Sequence, residues 1–253
     1  MSAPWKWIFT ALPVVLLTAC DTPKPPAGDA PSATASTQAA PVATATKPKG
    51  MPELLVDELG PYLGGRRVDM KQQDATEKLI KIIKELPIEG KPVTLLADRK
   101  AKTPIVAAVV YELGAAGAPK VIIKTDGRDD LPKEIEVTPE PRVTAPTTCA
   151  VTTMVLEDLS TAVWPFKGGL GKRQRKGLAG PDLSHTGETL EKEIAGCNGT
   201  VAFFSGDDTI AWEMTHNIAG TLLQADKKKK IESLVLLHHA PVAGRPVKLG
   251  SGS

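Results

Sequence analysis

Charge of one sign is what this chain has least of. Over 253 residues, Lys and Arg outnumber Asp and Glu by 31 to 29, a formal net charge of +2. That balance gives no argument for a nucleic-acid partner, whose phosphates require a concentrated basic face. Aromatics are also scarce, at 4% of residues. There are three cysteines and four histidines. Neither type gathers at metal-ligand spacing, so no metal site is expected. The uncharged stretch at residues 7–18 falls short of the about 20 apolar residues that a membrane-spanning helix needs. No cofactor loop stands out, and no cofactor is expected.

That short stretch is informative for what surrounds it. Lys6 precedes it, no charge interrupts it, and Leu17-Thr18-Ala19-Cys20 closes it with small residues before a cysteine. This is the layout of a secretory signal segment, and its last four residues resemble a bacterial lipobox. The resemblance implies that residues 1–19 are a signal peptide, that Cys20 is lipidated, and that the mature chain starts there. An ordinary signal peptide with an accidental cysteine is the alternative. Each acyl chain adds about 0.8 kcal/mol per buried CH₂, so two or three hold a soluble domain on a membrane. The expected location is the bacterial cell envelope, on the periplasmic side, lipid-anchored and not spanning. Asp21 resembles an inner-membrane retention residue of enterobacterial lipoproteins. Other lineages sort differently, so inner and outer membrane both stay open.

Residues 20–50 are rich in Pro, Ala, Thr and Ser. Such a segment buries too little apolar surface to offset its ordering and reads as a disordered spacer. With Cys20 assigned to lipid, Cys149 and Cys197 remain as an even pair in an oxidising compartment, where a disulfide is favoured.

The folded part opens with two strand patterns, residues 53–59 and 62–69, around a Gly60-Pro61 turn. Asp74-Ala75-Thr76-Glu77 has the form of a capping box, followed by Leu79, Ile82, Ile83 and Leu86 at helical spacing. A strand over 92–97 follows. Thr103-Pro104 starts a second helix, with Ile105, Ala108, Val109 and Leu113 as its stripe and Gly117 as its C-cap. A strand over 120–124 ends the set. Residues 131–146 read as a Pro-rich connector. The order then returns: strands over 151–157 and 161–166, a helix over 186–197, a strand over 200–204, a helix lined by Ile210, Met214, Ile218 and Leu222, and a strand over 231–237. The fold class is therefore α+β, with two small mixed-sheet domains of β-β-α-β-α-β order at 51–130 and 147–249. The shared pattern suggests an internal repeat, whose copies could pack together as a covalent pair.

In the first domain, PVTLLADRKAKTPIVAAVVYELGAAGAPKVIIKTDG resembles the periplasmic domain of the ExbD/TolR family. The shared features are a strand ending in Ala97-Asp98, a helix over 105–113, Gly117 and a strand over 121–125. The likeness spans residues 54–127. In the second domain Phe204-Ser205 stands where Ala97-Asp98 would be, with Asp207-Asp208 in the next loop. The resemblance implies a recognition module, usually dimeric, that serves proton-driven envelope transport. It also implies ExbB/TolQ- or TonB/TolA-like partners, or peptidoglycan. Family members carry an aspartate on a transmembrane helix, whereas residues 1–19 hold no acidic residue. A motor role is therefore not implied.

Several local groupings invite chemistry. Gly168-Gly169-Leu170-Gly171-Lys172 lacks the earlier Gly and the Ser/Thr of a phosphate loop, which leaves a flexible basic loop. Lys172, Arg173, Arg175 and Lys176 concentrate positive charge that could meet an anionic lipid or cell-wall polymer. Asp182, Ser184 and His185 are adjacent, but a triad needs convergence in space and an oxyanion hole. His238-His239 ends a strand and so points to both faces. Lys227 to Lys230 reads as a solvated turn, and Trp164 and Trp212 as core. Asp98, just past a strand end, is either ligand-facing or a loop cap for the following helix. No nucleophile-base pair stands out, and an enzyme is not expected.

Overall fold

The computed structural model describes residues 53–250, so Cys20, the expected signal segment and the expected spacer lie outside the described residues. Within them the architecture is α+β, with two mixed sheets and four α-helices. The first sheet holds six strands in the order β3-β2-β1-β4-β5-β6 and the second holds five in the order β9-β8-β7-β10-β11. No helix among the described residues is long and apolar enough to cross a membrane.

In the first half, β1 (Leu54–Asp57) and β2 (Gly60–Leu63) form an antiparallel hairpin. The expected Gly60-Pro61 turn is displaced: the chain reverses at Glu58-Leu59, and both residues belong to β2. Asp57 fixes this turn by accepting the Leu59 N–H at 2.9 Å. Its carboxylate is also gripped by both terminal nitrogens of Arg67, at 2.5 and 2.8 Å. That grip holds the Asp57 pKa below the usual carboxylate range. Gly60 has φ +114°, and a Cβ there would lie 2.3 Å from the Val68 carbonyl oxygen, so only glycine fits. The expected strand over 62–69 is cut by Gly64-Gly65, both at positive φ, which starts the short β3 (Arg66–Arg67).

Helix α1 (Ala75–Lys84) buries Leu79, Ile82 and Ile83, as its periodicity requires. Its capping box does not form. The Asp74 side chain makes no cap hydrogen bond and pairs instead with Lys78, one turn on, at 3.0 Å. Strand β4 (Val93–Ala97) alternates strictly, with Val93, Leu95 and Ala97 inward. Helix α2 (Thr103–Ala115) turns further than its stripe predicts: Val106, Ala107, Val109, Val110 and Leu113 are buried, while Ile105 and Ala108 are half-buried. Gly117 at φ +103° ends it, and the Ala118 N–H returns to the Leu113 carbonyl. Strand β5 (Val121–Lys124) runs parallel to β4.

The interval expected as a connector contributes a strand. β6 (Glu134–Val137) pairs antiparallel with β5, and Lys124 meets Glu134 across the pair at 2.7 Å. A 3-10 turn follows at Glu140–Arg142.

The second half starts with β7 (Val151–Val155) and β8 (Thr161–Pro165), again an antiparallel hairpin. The loop expected to be flexible carries β9 (Lys172–Gln174), paired with β8. Helix α3 (Leu183–Gly196) is N-capped by Asp182, which accepts the His185 N–H at 3.1 Å. β10 (Val201–Gly206), α4 (Trp212–Ala225) and β11 (Ser233–Leu236) complete the half, with β10 parallel to both β7 and β11.

One apolar cluster runs through both halves, joining Leu95, Val109 and Leu113 to Phe204, Trp212 and Leu222. The sheets also meet edge to edge, where the Thr138 N–H donates to the Leu234 carbonyl at 2.8 Å. Their outer faces differ. That of the first sheet shows Leu55, Leu96 and Ile122, partly exposed. That of the second is crossed by the C-terminal segment. Trp164 donates its indole N–H to the Arg245 carbonyl at 3.0 Å, and the Val247 N–H reaches the Phe166 carbonyl at 2.9 Å. Buried Glu140 fixes the same segment by accepting the backbone N–H groups of His238 and Gly250.

Candidate functional site

Parallel strands aligned in one direction bring the loops that follow them to one rim. In the first sheet this rim holds an open cleft of about 450 Å³. Its floor is Leu55, Leu96 and Ala97, and its walls are Asp98 and Arg99 after β4, Lys124 to Asp126 around the end of β5, and Lys133 and Glu134 entering β6.

Asp98 stands where its sequence position placed it, exposed just beyond β4. Its backbone N–H donates to the Val56 carbonyl at 2.8 Å, and its carboxylate accepts the Lys100 N–H at 2.8 Å. The side chain is thus a loop cap on the wall of the cleft. Most other charges of the rim are matched internally. Arg99 pairs with Glu213 of α4, and Lys124 pairs with Glu134. Lys133 lies 3.2 Å from Asp129 and 3.7 Å from Asp126. Its bond to Asp129 raises its pKa above the ordinary lysine value. Neither sign of charge dominates the rim.

The basic cluster lies elsewhere, on the edge strand of the second sheet, and does not join the cleft. It is also partly neutralised. Lys172 pairs with Glu193 of α3 at 2.5 Å. Arg173 pairs with Asp158 at 2.5 Å and donates to Ser160 at 2.9 Å. Bonds from Ser160, then Arg173, draw the Asp158 pKa down. Arg175 and Lys176 are exposed and make no ion pair among the described residues.

Cys149 and Cys197 form a disulfide with Cα atoms 5.4 Å apart. It ties the chain just before β7 to the C-cap of α3, two points that the antiparallel return of the helix onto its sheet brings together. No family model, no curated protein and no solved structure matches this chain. The ExbD/TolR resemblance therefore rests on the sequence features that carry it.

Among the described residues, no group of three or more His, Cys, Asp or Glu is placed to hold a metal ion. Asp182 and His185 do touch, at 2.7 Å, but as an exposed cap pair. The Asp182 pKa is lowered by the His185 N–H, and that of His185 is raised by the carboxylate. His238 and His239 lie beyond the end of β11 and do not point to opposite faces: their rings are tilted against one another, centroids 4.2 Å apart, and His238 also meets the Tyr111 ring edge-on at 4.4 Å. Trp164 and Trp212 are fully buried.

Two features were not anticipated. The counterpart of Asp98 in the second half is Asp207, because β10 runs on through Ser205 to Gly206. A run of buried polar groups also lies between the halves: Thr103 bonds Thr215 at 2.8 Å, and the Trp212 indole donates to Thr125 at 2.8 Å. The Asp-rich start of each post-strand loop was the available signal for the first.

Proposed function

We propose that this protein is a lipid-anchored, non-catalytic recognition component of a proton-driven envelope system of the ExbBD/TolQR type. The observation that supports this most is the strand order common to both halves: a hairpin, then two parallel strands reached through helices on one face. The ExbD/TolR-like segment, 54–127, coincides with the core of the first half. The lipobox-like Leu17-Thr18-Ala19-Cys20 supplies the tether in this reading. The cleft beside Asp98 is then the partner-facing rim, offered to a TonB/TolA-like or ExbB/TolQ-like protein. Its paired charges favour a docking role, in which a partner replaces internal ion pairs one by one at little net cost.

A second reading, a peptidoglycan-contacting lipoprotein, draws support from Arg175 and Lys176 at the exposed edge by β9. Affinity purification of the tagged full chain from solubilised native membranes separates the two. Recovery of an ExbB/TolQ-like proton-channel protein supports the first reading. Retention only on isolated sacculi, lost on neutralising Arg175 and Lys176, overturns it in favour of the second.

A further inference from the structure

The loops after β4 and β10 are built alike, residue for residue. Asp98 donates its N–H to Val56 of β1 at 2.8 Å, and Asp207 donates to Val155 of β7 at 2.8 Å. The Asp98 carboxylate accepts from the residue two positions on, Lys100, at 2.8 Å, and the Asp207 carboxylate from Thr209 at 3.2 Å. The Ala101 N–H returns to the Asp98 carbonyl at 3.1 Å, and that of Ile210 to Asp207 at 3.0 Å. The ladders agree too: Val56 stands opposite Ala97, as Val155 stands opposite Gly206.

These equivalent loops meet each other. Lys102 and Ala211, the N-cap residues of α2 and α4, form an antiparallel bridge. The contact is reciprocal: the Thr103 N–H donates to the Ile210 carbonyl at 3.0 Å, and the Trp212 N–H to the Ala101 carbonyl at 2.7 Å. Neither helix has a side-chain cap. Each instead satisfies an orphan first-turn N–H with a carbonyl from the other half. The next N–H of α4, at Glu213, reaches the Arg99 carbonyl at 2.9 Å, while Pro104 at the matching place in α2 has none to give. Contacts in which i meets j and j meets i are the mark of an isologous, two-fold interface.

We infer that the chain is a fused dimer: its halves are related by a local two-fold through the Lys102–Ala211 bridge, and this self-complementary surface is consumed within one chain. The surface at this bridge is thereby occupied and is not free to pair two copies of the chain. This inference stands apart from the envelope reading, since it uses none of the N-terminal features.

Hydrogen exchange of the full chain reads the central contact without a substitution. First-turn helix amides ordinarily exchange fast. Here the Thr103 and Trp212 amides exchange about a hundredfold slower, or more, than in the unfolded chain. Fast exchange at both overturns the inference. A second test replaces Lys102→Cys and Ala211→Cys together, because a non-hydrogen-bonded antiparallel pair brings Cα atoms within disulfide range. The expected product is a 102–211 crosslink at monomer mass on a non-reducing gel. A covalent dimer linked 102 to 211, or free thiols at both 102 and 211 by peptide mapping in a protein whose Cys149–Cys197 bond is intact, overturns it.

Discussion

His216 carries the clearest pH dependence in the molecule. Its ring is buried on α4, against Trp212 and beside Gly127, and neither ring nitrogen has a hydrogen-bond partner among the described residues. Burial lowers its pKa from 6.5 to about 4. The unfolded chain therefore takes up this proton at a higher pH than the folded one. Its contribution is complete above pH 6.5, declines as the pH falls, and is lost below about pH 4. A shift of that size corresponds to about 3 kcal/mol. Urea unfolding of wild type and His216→Gln between pH 7 and pH 4 checks this. The variant loses less stability on acidification than the wild type does; equal losses would refute it. Helical spacing marks Ile218 and Leu222 as inward, but it does not say that a polar neighbour faces the other half. For this reason His216 was not legible in the sequence.

At the scale of elements, the disulfide fastens α3 to the start of β7. The chain passes so closely that a Cβ on Gly199 would lie 1.6 Å from the Cys149 carbonyl oxygen. A bridge closing a loop of 48 residues reduces the entropy of the unfolded chain, by about 4 kcal/mol in the loop-closure relation. Replacing both cysteines by serine lowers the unfolding free energy by about 2–4 kcal/mol, measured in urea without reductant. Unchanged stability would contradict this. The pairing was legible from parity, and the central strands and helices from their apolar spacing. β6 and β9 were not. β9 is an edge strand and wholly polar, Lys-Arg-Gln, while β6 reads Glu-Ile-Glu-Val behind Pro132, within a Pro-rich interval, and its end abuts β11 of the second sheet. A polar edge strand such as β9 leaves no apolar pattern, and β6, though it alternates with Ile135 and Val137 buried, is too short to stand out among the surrounding prolines. The capping box failed for a related reason: an exposed Asp74 finds Lys78 as readily as a backbone N–H. For the site, Asp98 was placed correctly at a strand end, while the cleft around it depends on β6 and stayed invisible.

Across the whole molecule, the halves repeat one topology and share one core, yet they are not equivalent. The C-terminal segment covers the outer face of the second sheet, whereas among the described residues no segment crosses the corresponding face of the first sheet. If the halves are a fused pair, the described residues present one Asp98 rim per chain, and the proposed encounter with a partner would be one-to-one. That role depends on how the chain is held. In the proposed reading, a lipid on Cys20 would hold the folded region at a membrane without giving it a proton-carrying span. Mass spectrometry of the N-terminus, on protein isolated from its native membrane, tests this most directly. The expected result is a mature chain that begins at an acylated Cys20 with residues 1–19 removed; an unacylated chain still beginning at Met1 would contradict it.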